Sequence, residues 1–137
     1  MLRRNQKVEL IKQVPLFEGL SKRELEQIAA IADEIDLREG KELTTQGKSA
    51  REFFVLLEGS ADVTKDGQRI NQLGDGDFFG EIALVSRSPR TATVTATSPV
   101  RTLVITDRSF RRLLEESPQI QLKVLEALAE RIAPEIF

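Results

Sequence analysis

The segment Phe78-Phe79-Gly80-Glu81-Ile82-Ala83-Leu84, followed by Ser88-Pro89-Arg90-Thr91-Ala92, is where this 137-residue chain concentrates its chemistry. It gathers one acid, one arginine, a glycine and several small residues around what reads as a single helical turn. Successive backbone N–H groups at a helix start, with Gly80 permitting close approach, make a site for an anion. Arg90 adds a planar, permanently charged fork suited to a phosphate. Glu81, once ionised, only accepts hydrogen bonds, so it suits vicinal hydroxyls better than a phosphate. Donors for a phosphate beside an acceptor for ribose hydroxyls describe a nucleotide with one exposed phosphodiester.

Taken singly, Glu81 and Arg90 would read as a surface ion pair beside a loop, a contact worth little. Gly80, Ala83 and the run Arg90-Thr91-Ala92 together argue against that ordinary reading. Thr91 also fits a plain β-branched strand position. Gly74-Asp75-Gly76-Asp77 is a turn: no Gly-Lys-Ser/Thr follows it, and calcium-loop spacing from Asp75 puts Ser86 where a bidentate Glu is needed. Phe53, Phe54, Phe78 and Phe79 fit a core better than a base-stacking platform. Arg111-Arg112 and Glu115-Glu116 read as the solvated face of a helix.

Absent residue types exclude whole classes of chemistry. With no His and no Cys there is no Ser-His-Asp or Cys-His triad, no His- or Cys-ligated zinc and no redox dithiol. What survives is carboxylate or Lys chemistry, hard-cation binding or pure ligand recognition; the last is the expectation, with no catalytic residue and no metal ligand assigned and the chain not an enzyme. Twenty Lys+Arg against 22 Asp+Glu leave a net charge of −2, so no global field recruits nucleic acid or an anionic membrane. The N-terminus is basic but no apolar run follows it, so it does not read as a signal peptide. The densest apolar run, Phe53 to Leu57, is far short of the roughly 20 residues of a membrane span. A cytoplasmic protein is the expectation.

These residues need a scaffold, and the chain divides by pattern into three parts: helical 1–35, a β-roll 36–106 and C-terminal helices 107–137, a single domain across 1–137. Val8, Ile11 and Val14 are spaced for a short helix that Pro15 stops. Ser21 and Glu24 form a capping box, after which Leu25, Ile28, Ala29, Ala32 and Ile35 follow helical spacing. From about residue 36, glycines punctuate short runs rich in Val, Ile, Leu, Phe and Thr, the signature of an all-β sandwich or barrel. Phe53–Leu57 reads as a strand buried on both faces, and Asp66-Gly67 as a type I′ hairpin turn. Asp107 is placed to cap a helix carrying Phe110, Leu113 and Leu114. Ser117-Pro118 starts another, with Ile120, Val124, Leu128 and Ile132 on one stripe.

Phe-Gly-Glu-Ile-Ala-Leu and then Pro-Arg-Thr-Ala-Thr-Val resemble the phosphate-binding cassette of cyclic nucleotide-binding domains, the modules of catabolite activators, protein kinase A regulatory subunits and cyclic-nucleotide-gated channels. Gly40, Gln46-Gly47 and Gly59 are similar to that family's turn positions, and the likeness spans roughly residues 15–133. The fold it implies is mainly β with flanking helices, an eight-stranded β-roll of the double-stranded β-helix or jelly-roll type. The ligand it implies is cAMP first and cGMP second, with no further cofactor. Phe79, Gly80, Glu81, Ile82, Ala83, Arg90, Thr91 and Ala92 would form the ligand site. By resemblance Glu81 would hold the ribose 2′-hydroxyl. Arg90 and the amides of Ala83 and Thr91 would hold the cyclic phosphate, and Leu84 would contact the C-terminal hinge. Thr91 stands where a hydroxyl in this family favours acceptance of cGMP.

Family members often close the base pocket with an aromatic or hydroxyl residue of the last helix, and Pro118 to Phe137 contains no Trp, Tyr, Ser or Thr. Phe137 is too near the terminus to serve. Leu128 or Arg131 would then lie over the purine, Arg131 standing where channel-type members place a base-contacting arginine. The partners implied are a cyclic nucleotide, an effector protein or fused domain, and a second copy paired through the C-terminal helix. No direct nucleic-acid contact is expected, because no helix-turn-helix follows the roll. Two other readings compete: a degenerate cassette kept for protein–protein contact, and a cupin-like metal barrel, which the absence of His disfavours.

Overall fold

In the computed structural model, which describes residues 4–136 of the backbone and side chains from 6 to 131, the capping box opens the second helix as its sequence requires. The Ser21 hydroxyl accepts from the Glu24 amide while the Glu24 carboxylate accepts from the Ser21 amide. Helix α1 (Arg4–Lys12) precedes it, and a short 3-10 turn, Pro15–Phe17, joins them. Helix α2 (Lys22–Ile31) ends earlier than the helical spacing suggests. Ile35 lies instead on strand β1 (Asp33–Leu37), paired with Thr102, and is among the exposed apolar residues. The helical-to-β boundary therefore falls near residue 32: the pairing of a whole strand outweighs one apolar position at helical spacing. Met1, Leu2, Arg3, Phe137 and the side chain of Ile132 lie outside the described residues.

Seven more strands follow: β2 (Glu42–Thr44), β3 (Glu52–Glu58), β4 (Ala61–Lys65), β5 (Gln68–Leu73), β6 (Phe78–Phe79), β7 (Thr93–Ala96) and β8 (Val100–Thr106). They form two antiparallel sheets of four, ordered β1-β8-β3-β6 and β2-β7-β4-β5. Asp66 and Gly67 both take positive φ, 52° and 80°, as a type I′ turn between β4 and β5 demands.

Strand β3 separates two cores, which explains why its sequence is apolar throughout. Phe54 and Leu56 face the interior between the sheets with Ala61, Leu73, Phe79, Val94 and Val104. Phe53, Val55 and Leu57 face the helices with Ile11, Phe17, Ile28, Phe110, Ile120 and Val124. Each face carries an aromatic stack: Phe54 on Phe79 at 4.9 Å, and Phe53 on Phe110 at 4.4 Å between centroids. Such pairs contribute about 0.5–1.5 kcal/mol beyond their buried area.

Helix α3 (Glu81–Ser86) is the single turn expected in the cassette. Helix α4 (Asp107–Glu116) is capped by Thr106, whose hydroxyl accepts from the Ser109 amide at 3.2 Å. Asp107, expected as the cap, is the first helical residue instead and pairs with Arg111 at 2.9 Å, where the helix dipole also favours an acid. Helix α5 (Pro118–Ile136) starts at Pro118, with the Ser117 hydroxyl accepting from Ile120. It is pinned by Ile120 and Val124 in the helical core and by Lys123, whose Nζ donates to the carbonyls of Pro15 and Glu18, both at 2.9 Å. Its far end reaches the cassette. Among the described residues no helix is long and apolar enough to cross a membrane.

Candidate functional site

The Phe54–Phe79 stack fixes the point where β6 gives way to the cassette. Gly80 follows with φ +92°, a left-handed turn that an L side chain adopts at a cost. A Cβ there would stand 2.9 Å from Arg90 Nη1 and 3.2 Å from the Glu52 carbonyl. Glycine is thus needed twice, for the dihedral and for the space. The turn directs Glu81 inward at the start of α3, with Ala83 and Leu84 buried behind it.

Arg90 is only 6% exposed, and backbone holds it from several directions. Nη1 donates to the Gly80 carbonyl at 2.8 Å and Nη2 to the Glu52 carbonyl at 2.5 Å, with the guanidinium 5.7 Å from the Phe54 ring centre. Its own amide donates to the Lys48 carbonyl at 2.8 Å, and its carbonyl accepts from Gly47 at 2.9 Å. Burial pulls the guanidinium below its ordinary range, while Glu52 and Glu81 pull it back up. Arg90 and Glu81 influence each other electrostatically, but the Glu81 hydrogen-bond partner is a different arginine.

Glu81 is fully buried. Oε1 accepts from Arg131 Nη1 on α5, and Arg131 Nη2 donates to the Phe78 carbonyl at 2.6 Å. The Arg131 guanidinium also lies 5.1 Å from the Phe78 ring centre. Glu81 Oε2 has no hydrogen-bond partner among the described residues. Burial raises the carboxyl above its ordinary range, opposed first by Arg131 and lastly by Arg90.

These groups open onto one cleft of about 400 Å³, within the size range of small-molecule sites. Phe79, Gly80, Glu81, Ile82, Ala83, Arg90, Thr91, Ala92 and Arg131 all line it. Leu128, expected over the base, does not: it packs against the helical core, because burying its isobutyl group there outweighs facing a polar cleft. Leu84 is buried in the same helical core, which also holds Phe110 of α4 and Ile120 and Val124 of α5. Arg131 reaches the site but lies on Glu81 and Phe78.

The opposite wall went unrecognised in the sequence. Val63, Lys65, Ile70, Asn71 and Leu73 of the β4–β5 hairpin line the cleft, with Thr44, Val94 and Glu130. The available signal was alternation: Val63 and Lys65 lie on one face of β4, and Val63 pairs directly with Asn71. Gln46 couples this hairpin to the cassette side, exchanging two hydrogen bonds with Asp66 at 2.8 and 2.9 Å while its amide donates to Thr93. Among the described residues no group of three or more acids could hold a metal ion.

A buried cationic fork and a buried carboxylate on one turn-and-loop, covered by a terminal helix on an eight-stranded roll, is an arrangement with known counterparts. The model of the cyclic nucleotide-binding domain matches residues 34–117. The chain belongs to the cyclic nucleotide-binding domain family. A cAMP-dependent protein kinase regulatory subunit of Mycosarcoma maydis is 39% identical over 118 residues, which are 77% of this chain and 22% of that protein. The domain thus spans about a fifth of that relative's length. The regulatory domain of Toxoplasma gondii PKA, in co-crystal with cAMP, superposes with a TM-score of 0.81 at 28% identity, covering 91% of this chain and 49% of that one. The regulatory subunit of a cAMP-independent protein kinase A from Trypanosoma brucei shares the fold at TM-score 0.83 and 24% identity, covering 93% and 46%. The domain is mainly β, with two antiparallel four-stranded sheets and flanking helices, as the sequence pattern implied.

Proposed function

We propose that this domain is a regulatory sensor that binds a 3′,5′-cyclic purine nucleotide, cAMP foremost, and transmits the event by repositioning α5. The observation that carries the reading is the joint burial of Arg90 and Glu81 along one cleft, a phosphate donor and a hydroxyl acceptor held on a single turn-and-loop. Arg90 is the cation for the cyclic phosphate, joined by the amides of Ala83 and Thr91. Glu81 accepts from the ribose 2′-hydroxyl. The purine lies toward Val63 and Leu73, whose apolar surface suits its face. Phe79, Gly80, Ile82 and Ala92 shape the floor. Nothing is done chemically to the ligand; the output is binding linked to a conformational shift.

Support for cAMP comes from relatives: the Mycosarcoma maydis protein is named for cAMP dependence, and the Toxoplasma gondii domain holds cAMP. The effector is a protein or a fused domain acting on α5, and sedimentation with and without nucleotide separates this from a homodimer joined through that helix. Calorimetric titration with cAMP and with cGMP tests the reading. Saturable 1:1 binding of at least one of them is expected, and heats of dilution alone for both would leave the cassette as a protein-contact module.

A further inference from the structure

A second hollow, of about 520 Å³, lies behind the cassette, and Ala83 of α3 lines both it and the nucleotide cleft. Its charged walls are Arg87, Arg111 and Asp107, and Ser49 and Ser88 add hydroxyls. Arg111 commits Nε to Asp107 at 2.9 Å and Nη2 to the Leu84 carbonyl at 2.5 Å, and a guanidinium has five N–H donors, so capacity remains. Arg87 is exposed and ends α3 in the left-handed region, φ 57°, a place usually left to glycine. Two arginines against one acid leave the hollow cationic.

Ser88 stands in this hollow, and the proton of its hydroxyl can be traced. Ser86 Oγ donates to the Ile82 carbonyl at 2.7 Å, which uses its only proton. The 2.6 Å contact between the Ser86 and Ser88 oxygens therefore takes its proton from Ser88. A substituent on Ser88 Oγ removes that proton and sets oxygen against oxygen, so the side chain must leave Ser86, and the arginine-lined hollow is the room beside it. Pro89 biases Ser88 toward extended backbone, and Ser86, Arg87 and Pro89 around it are exposed. Two other serines precede prolines, and both are committed. Ser117 is buried and caps α5 by accepting from Ile120. Ser98 accepts from the Ser60 amide and donates to the Pro99 carbonyl, and Arg101 beyond it is already paired with Asp36 at 3.0 Å.

We propose that Ser88 is a phosphorylation site for a proline-directed protein kinase, its phosphate held by Arg87 and Arg111 behind the cassette. Ser88 Oγ attacks the γ-phosphorus of ATP; the new O–P bond forms as the bond to the β–γ bridging oxygen breaks, ADP leaves, and the hydroxyl proton passes to the kinase's base. The product is a near-dianion with three strong acceptor oxygens, matched to the forks of two arginines. The site stands without the cyclic nucleotide reading, whereas its output rests on that reading. Release from Ser86 shifts the loop that leads directly into Arg90, and the new charge lies one residue, Ala83, behind the cleft that takes the nucleotide's own phosphate. Both effects weaken nucleotide binding.

The test treats the whole chain with ATP and, in separate reactions, a mitogen-activated and a cyclin-dependent protein kinase, and maps the product by phosphopeptide mass spectrometry beside Ser88→Ala. Phosphate on Ser88, lost in the variant, is expected. No incorporation, or incorporation only at Ser98 or Ser117, overturns the site. In the Ser88-phosphorylated chain, a phosphorus NMR titration should place the second phosphate pKa below its ordinary value of about 6, and Arg111→Gln and the surface variant Arg87→Gln should each move it back. An ordinary value in wild type means a phosphate in open solvent and overturns the hollow as its seat. By calorimetry the phosphorylated chain should bind cAMP at least about threefold more weakly than the unmodified chain. Equal or tighter binding overturns the output. An unmodified chain that binds no cyclic nucleotide overturns the reading beneath that output, while mass spectrometry and NMR still decide the site.

Discussion

Two arginines serve the same cleft, and the chain holds them by opposite means. Arg90 belongs to the roll: two of its five guanidinium donors go to backbone carbonyls, its own peptide is tied to the Gly47–Lys48 turn, and the guanidinium lies 5.7 Å from the Phe54 ring centre. Arg131 belongs to a helix end and is held by one side chain, one carbonyl and one ring face. Backbone partners cannot rotate away, so Arg90 is fixed for as long as the sheets are folded. Side-chain partners on separate elements can part at modest cost, which suits the movement proposed for α5. The contrast fits the proposal that residues 80–92 are the constant part of the site and α5 the changing part.

Breaking the fixed side should produce the largest effect. Arg90→Ala removes the cation proposed for the phosphate and leaves the Gly80 and Glu52 carbonyls without its donors. Truncating one member of a buried charged contact costs about 2–5 kcal/mol, so cyclic nucleotide affinity should fall at least about 30-fold by calorimetry. Affinity equal to wild type would remove Arg90 from the site. Gly80→Ala comes next: the positive φ and the approach to the Glu52 carbonyl should cost about 1–3 kcal/mol of folding stability, read from urea midpoints. An unchanged midpoint would mean that the turn relaxes freely.

The movable side should respond more weakly and with a pH signature. A buried carboxyl whose folded pKa is raised favours the protonated form, so its contribution to stability is present at low pH and lost as pH rises from the ordinary carboxylate range through the raised value. Arg131 opposes that shift. Arg131→Gln therefore widens the window, and its Tm deficit against wild type should be smaller at about pH 5 than at about pH 7.5. A deficit independent of pH would show that Arg131 does not act through Glu81. Thr91→Ala should have the smallest effect. Thr91 lines the cleft but is exposed, and one neutral hydrogen bond changes the cAMP-to-cGMP affinity ratio by at most about tenfold. An unchanged ratio would confine Thr91 to its backbone amide.

The same division decides what the sequence made legible. The fixed side is local: Gly80, Glu81, Ala83, Arg90 and Thr91 lie within twelve consecutive residues, and the expectation of an anion donor beside a hydroxyl acceptor rests on their types. The capping box at Ser21–Glu24, the type I′ turn at Asp66-Gly67 and the doubly buried β3 are likewise local signals that the structure realises. What escaped depends on long-range pairing. Ile35 continued a helical stripe in sequence, yet β8 draws it into a strand. Thr106 took the cap from Asp107 because the end of β8 sets where α4 can start. Asn71 and Lys65 reach the cleft only through the β4–β5 register, and the Glu81–Arg131 pair joins residues 50 positions apart.

Hydrogen exchange on the whole chain, with and without saturating cAMP, measures both sides at once. The account predicts slowed exchange over residues 80–92, where Arg90 and the cassette amides take the phosphate, and over residues 118–131, where α5 closes on Glu81. Unchanged exchange at 80–92 would contradict the cassette as the binding site. Protection there with no change across 118–131 would contradict α5 as the moving part.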